Sequence, residues 1–351
     1  MDTVTHAFAG SVLARSASEQ NETRLALLVG GLAAVVPDLD FLFFSTRLDY
    51  LKDHRSWTHS FLVLPFLSLA IALAAKLIAR RAPLWRLWLF AAVGIASHIL
   101  FDWITSFGTM FWTPVSRTRY SLDWVFILDP IFTGIMLAAL IVSLVFRRRA
   151  RAIAIVGSAV LFLYIGFCAV LHSRALAAWK RMDNPPPGAR MSALPQFLSP
   201  FRWLGLSDHG NALHYAFFDI GPFARGSGDV HPPQRWSEIL QSLSDSYPPP
   251  KDAKIVVYPA AEPSKFLSAA RELPDWKIYL AFARFPMETV YPSKDGGADV
   301  IVQDLRFLPW FTGPWERGGK EGLRRQPFVY RARFDAGLNL VDRGFVRDGR
   351  R

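Results

Sequence analysis

Apolar and polar positions divide this chain into two parts of different texture. In the first part, residues 61–79, 84–104, 125–146 and 153–171 form four apolar stretches. Each comes close to or exceeds the ~20 residues that carry a helix across a bilayer. A fifth stretch, 25–44, is long enough but contains Pro37, Asp38 and Asp40. Residues 4–14 are apolar but too short to span, which predicts an interfacial or re-entrant segment. From Arg174 onward the pattern changes. "DNPPPGAR" reads as a linker and "YPPPK" as a later loop. Short β-rich runs follow: "ALHYAFFDI", "AKIVVYPA", "KIYLAFARF", "ADVIVQDLRFL" and "FVYRARFD". "SKFLSAARELPDW" reads as one amphipathic helix closed by Pro274. The pattern predicts a polytopic α-helical membrane domain over residues 1–172, a linker over 173–190, and a small α+β soluble domain over 191–351.

Composition agrees with this division: 51% of the 351 residues are hydrophobic and the mean hydropathy is +0.19, too polar for a chain that is membrane throughout. The net charge of +11 is concentrated partly in short clusters beside apolar runs. "ARRAPLWR" and "RRRAR" are tight basic turns between spans and are expected on the cytoplasmic side. That orientation places the soluble domain on the outer side, periplasmic or extracellular. Arg55, Arg117 and Arg119 then fall on the outer side, against the rule but outnumbered. No nucleic-acid-binding motif accompanies the basic charge, so no nucleic-acid partner is expected. Cys168 is the single cysteine, which excludes an intrachain disulfide and a thiolate metal site. The opening "MDTVTHAFAG" lacks the basic region of a cleavable signal peptide.

Several polar residues are expensive at membrane depth: His6, Asp38, Asp40, His54, His59, His98, Asp102, Asp123 and Asp129. In "ASHILFDWITSFG", His98 and Asp102 are four apart, so a helix stacks them on one face with Thr105 beyond. An Asp at the centre of a span costs about 2.5–3.5 kcal/mol on insertion scales. Such a pair faces a cavity, a partner or a metal, or else makes a packing hydrogen bond. Convergence favours a site, because the topology brings all these residues to the outer level and leaves the basic turns without acids or histidines. Imidazole and carboxylate without thiolate suit Zn²⁺, Mn²⁺ or Fe²⁺. In "HRSWTHS", His59 is read as a ligand in the first turn of its helix, with His54 and Arg55 as neighbours on the preceding loop.

With these residues assembled, the chain resembles the YdjM-like family of membrane-bound proteins, described as metal-dependent hydrolases of the bacterial inner membrane. The matching pieces are "MDTVTHAFAG", "VPDLDFL", "HRSWTHS", "SHILFDWITSFGT" and "SLDWVFILDP", in the family's order over residues 1–146. "SPFRWLGL" and "ADVIVQDLRF" are similar to the C-terminal part of longer members. The resemblance implies metal-site roles for His6, Asp38, His59, His98 and Asp102, and looser roles as catalytic groups or additional ligands for Asp40, His54 and Asp129. It implies one or two divalent ions, Zn or Mn foremost.

The resulting expectation is hydrolysis of an ester or phosphoester at the outer membrane surface, on a lipid or lipid-linked substrate, with membrane lipids as the immediate partners. Asp40 or His54 is the candidate general base. Arg55, Arg117 and Arg119 are candidates to hold a phosphate or headgroup, against ordinary headgroup anchoring. The alternative is a non-catalytic, metal-stabilised scaffold whose periplasmic domain binds a partner; a closed four-ligand site would suit it. An ion transporter is disfavoured, since the acidic residues gather at one face. His172 reads as interfacial, and His209, His214 and His231 as structural. Trp85, Trp88, Trp103, Trp112 and Trp124 fit an aromatic belt.

Overall fold

The computed structural model describes residues 1–225, 245–308 and 327–346; His231 lies outside them. The chain divides into two compact units, one of Met1–Ser45, Asp53–His172 and Phe197–Pro200, the other of Thr46–Lys52, Ser173–Gln196 and Phe201–Arg351.

The first unit is helical. Its elements are α1 (Thr3–Ser16), α2 (Thr23–Val35), α4 (Leu64–Ile78), α5 (Leu84–Trp103), α6 (Pro130–Val145) and the first part of α7 (Ala150–Asp183); α3 (Arg47–Asp53) precedes α4 in sequence but, up to Lys52, belongs to the second unit. Asp2 caps α1, its carboxylate accepting from Thr5 N at 3.0 Å. At Pro37 the ladder of α2 loses a donor, and the chain continues as a 3-10 stretch over Val36–Phe43. Three helices are long and apolar enough to cross a membrane: Gln20–Phe43, Leu84–Trp103 and Arg147–Asp183. A fourth candidate is the bent pair Arg47–His59 and Leu64–Ile78. The predicted span at 125–146 is shorter as a helix, because Asp129 and Pro130 form its cap and first turn and the helix begins only there.

Small residues let α1, α2 and α5 meet backbone to backbone. A Cβ at Gly30 would lie 2.6 Å from Gly10 O, and one at Gly94 would lie 2.3 Å from Gly30 O. In a bilayer, where burying apolar surface gives little between helices, such close approach is a main source of association. Large apolar side chains such as Leu32, Phe66, Leu77, Ile141 and Leu163 point outward and are exposed, the arrangement a lipid solvent favours. At one end of this unit Arg86 pairs with Glu19 and Glu22, so this basic turn does have acidic neighbours, contrary to expectation: the connection between α1 and α2 brings both glutamates to it. Gln20 Nε2 donates to Arg148 O at 2.9 Å there, so the basic turns gather together.

The second unit carries two four-stranded sheets. One has the order β1 (Arg190–Gln196), β2 (Ser199–Asp208), β3 (Ala212–Asp219), β4 (Val256–Pro259); the other runs β5 (Pro286–Pro292), β6 (Ala298–Asp304), β7 (Tyr330–Phe334), β8 (Leu340–Phe345). Between them lie α8 (Lys265–Glu272) and α9 (Pro274–Phe282). α7 continues to Asp183, so the expected linker is helical over its first part. Trp179 of that extension is fully buried and its ring lies against Gly205 of β2, where a Cβ would come within 2.4 Å.

Two readings of this unit are corrected. "KIYLAFARF" was expected as a strand, yet residues up to Phe282 are helical: Trp276, Tyr279 and Phe282 recur every three residues and are all buried. Pro274 does not merely close a helix. It occupies the first turn of α9, where its missing N–H has no ladder bond to lose. The fold class stands as expected, apolar helices followed by an α+β region of small antiparallel sheets.

Candidate metal centre

Four elements meet around the far turn of α5. α5 itself supplies His98 and Asp102 one turn apart. The Pro37 break supplies Asp38, and the 3-10 turn Trp57–His59 supplies His59. α1 brings His6 alongside, its ring stacked on His98 with centroids 3.7 Å apart. His59, His98, Asp102 and His6 are fully buried side chains, while Asp38 is 13% exposed. The close helix packing at Gly10, Gly30 and Gly94 is what brings these residues within reach of one another.

One donor atom from each of Asp38, His59, His98 and Asp102 lies within 4.8 Å of the other three. His59 Nε2 and His98 Nε2 are 3.0 Å apart. Asp102 Oδ2 is 3.2 Å from His59 Nε2 and 3.3 Å from His98 Nε2. Asp38 Oδ1 is 3.5 Å from His98 Nε2 and 3.8 Å from His59 Nε2. Tetrahedral Zn²⁺ with bonds of about 2.0–2.2 Å sets its donors roughly 3.3–3.5 Å apart. These separations therefore fit a single ion.

Two further observations test that fit. His98 Nδ1 donates to the carbonyl of Ala34 at 2.7 Å. A carbonyl only accepts, so the proton of the neutral ring is on Nδ1 and the lone pair of Nε2 points at the other donors. This is the outer-shell bond that orients ligating histidines. Asp102 Oδ2 is buried, and among the described residues no hydrogen bond of good geometry reaches it. The Arg55 guanidinium, with Nε 3.0 Å away, is its counter-charge, and a carboxylate oxygen has a second lone pair to offer an ion. The donor set is N₂O₂ without sulfur, suited to Zn²⁺, Mn²⁺ or Fe²⁺.

The remaining candidates fall into three groups. Asp40 and His54 adjoin the cluster without joining it. His54 Nδ1 is 2.8 Å from Asp40 Oδ1. Asp40 Oδ2 accepts from Arg55 N at 3.3 Å and Thr58 Oγ1 at 3.4 Å, and lies 3.9 Å from His59 Nδ1. Arg55 is turned inward: its Nε is 3.0 Å from Asp102 Oδ2, and its Nη1 donates to Thr105 Oγ1 at 3.1 Å. A backbone φ of 63° at Arg55 directs this turn. The Met1 amino group also pairs with Asp102. Arg119 braces the covering loop, its Nη1 donating to His54 O at 3.1 Å and Gly108 O at 3.2 Å. Arg117 is half exposed and pairs with Asp53. Asp129 stands apart. Its carboxylate caps α6, accepting from Ile131 N and Phe132 N at 2.9 Å each and from the Tyr164 hydroxyl at 2.7 Å. The sequence already held that signal, an Asp directly before Pro at a helix start.

The comparisons with known proteins concern the same part of the chain. The uncharacterized protein YfhP of Bacillus subtilis is 28% identical over 151 residues, 40% of this chain. The inner membrane protein YbcI of Escherichia coli is 37% identical over 106 residues, 28% of this chain. The chain spans 45% of the first and 58% of the second, about half the length of these curated relatives. No solved structure matches it. The profile of the YdjM inner membrane protein family matches residues 1–175, the helical part that holds the centre, and through it the chain belongs to the YdjM inner membrane protein family.

Proposed function

We propose that this protein is a membrane-bound, metal-dependent hydrolase acting on an ester or phosphoester of a lipid or lipid-linked substrate. The observation that carries this reading is the position of the Asp40–His54 pair directly beside the four-donor cluster, with Asp40 Oδ2 3.9 Å from His59 Nδ1. Asp38, His59, His98 and Asp102 would hold a divalent ion. The chemistry such an ion supplies is Lewis acidity, which activates water and offsets negative charge growing on a phosphoryl or acyl oxygen. The chain's own groups do the rest. Asp40 orients the His54 imidazole through Nδ1, as a carboxylate orients the base of a hydrolytic triad, and His54 takes the proton of the attacking water. Arg55 pairs with Asp102 and fixes its position, with Nε 3.0 Å from Oδ2. Asp38 is the one cluster donor with exposed surface, 13%, so substrate approaches from its side. The cluster lies away from the gathered basic turns. If those turns are cytoplasmic, the site opens to the outer leaflet and the sheet-bearing unit is periplasmic.

One observation favours the second reading, a metal-stabilised scaffold without turnover. Four donors lie within 4.8 Å of one another, the number that fills the coordination of structural zinc without a solvent position. A single comparison separates the two. Hydrolysis of fluorogenic phospholipid and phosphodiester substrates is measured in nanodiscs for wild type and His54→Gln, with metal content determined for both. The hydrolase reading expects equal metal and a loss of about 10²–10⁴-fold in turnover. Equal metal with no turnover in wild type across both substrate classes would leave the scaffold.

A further inference from the structure

We infer that the sheet-bearing unit carries a second divalent-metal site, formed by Asp183, His209 and His214, independent of the membrane centre. His209 and His214 are separated in sequence by a hairpin and have no regular spacing, so they read as structural residues in the chain alone. Folding gives them a common face. Ser207 pairs directly with His214 across β2 and β3. His209 lies two residues beyond Ser207 and donates its backbone N–H to Ala212 O at 2.9 Å. Successive residues of a strand alternate faces, so Ser207, His209 and His214 project on the same side. The turn between them is tight: Gly210 has a φ of 83° and donates to Asp208 Oδ1 at 2.9 Å.

Asp183, the last residue of α7, lies over that face. Its Oδ2 is 2.7 Å from His209 Nε2 and its Oδ1 is 2.6 Å from His214 Nδ1. The two rings stack with centroids 3.7 Å apart. The Ser207 hydroxyl donates to Asp183 as well. Asp183 is 1% exposed, His209 15% and His214 19%.

Three features point to an ion and not to a hydrogen-bonded clamp alone. One donor atom from each of Asp183, His209 and His214 lies within 4.8 Å of the other two. The donor set of two imidazole nitrogens and one carboxylate, with Ser207 fixing the carboxylate from outside, is that of three-ligand sites for Zn²⁺ and its neighbours, and unsuited to Ca²⁺ or Mg²⁺. The carboxylate is buried while both rings keep an edge in water, which gives the ion an entry and a further position for solvent. Bound there, the ion ties the β2–β3 hairpin to the C-terminal end of α7, adding to the Trp179–Gly205 contact.

The test uses the full chain in detergent, stripped of metal and titrated with Co²⁺ and Zn²⁺. Wild type is compared with the double variant His209→Ala, His214→Ala and with Asp102→Asn. The proposal expects the double variant to bind one equivalent fewer than wild type, whether or not Asp102→Asn loses a different one. Because the double variant removes packing as well as ligands, a second measurement uses wild type alone. Carbethoxylation of individual histidines, followed by peptide mass mapping, is expected to slow at least tenfold at His209 and His214 when Zn²⁺ is added. Equal stoichiometry in wild type and a folded double variant overturns the proposal. Modification rates at these two histidines that Zn²⁺ leaves unchanged overturn it equally.

Discussion

His59 and His98 direct their Nε2 atoms at one another across 3.0 Å. The bond from His98 Nδ1 to Ala34 O leaves the neutral His98 ring a lone pair at that contact. Two such nitrogens beside the Asp102 carboxylate call for a shared proton or a shared cation. The donors ligate only when deprotonated, so protons compete with metal and affinity falls as pH falls. Chelator competition in detergent is expected to give weaker binding at about pH 5.5 than at about pH 7.5, and to detect proton release on metal uptake. Affinity that is flat across this range would mean the donors are not these groups.

Helix spacing should control occupancy with every ligand in place. Ala at Gly94 would drive its Cβ against Gly30 O, which is backbone and cannot swing away. Gly94→Ala is expected to destabilise the helical unit by about 1–3 kcal/mol and to lower metal affinity, because α2 carries Asp38 away from His98. Thermal unfolding and metal titration on the same preparation check both effects.

Arg55 acts here as the counter-charge of Asp102, not as a headgroup clamp. Breaking a buried pair from one side costs about 3–5 kcal/mol, unless another cation takes over. Arg55→Met is therefore expected to lower the melting temperature strongly in metal-free protein and much less in Zn²⁺-loaded protein. An equal loss in both states would separate Arg55 from the centre.

Asp129 serves α6 as its cap. Asp129→Ala is expected to cost about 0.5–2 kcal/mol and to leave metal stoichiometry unchanged. Loss of a metal equivalent in a folded Asp129→Ala protein would restore it to the ligand set.

Much of the centre was legible in the chain. The four-residue spacing of His98 and Asp102 fixes a shared helix face, Pro37 announces the break that frees Asp38, and the placement of the basic turns puts the polar residues at one end. What the chain did not reveal depends on contacts between distant segments. Arg55 points inward because the loop holding Phe107 and Met110 folds over it, with Met110 N donating to Arg55 O at 2.9 Å. The aromatic run after Pro274 has the composition of a strand, and only its burial every third residue marks a helix. Asp183, His209 and His214 are scattered in sequence, and pairing of β2 with β3 is required before they share a face.

The most direct test of the central claim is metal content by mass spectrometry of detergent-purified protein, with wild type beside His59→Gln and Asp102→Asn and folding checked by circular dichroism. The centre described here predicts metal in wild type that falls by one equivalent in each variant while helicity is retained. Wild-type protein that carries no metal and takes none up on reconstitution, or variants that retain the full wild-type complement, would contradict it.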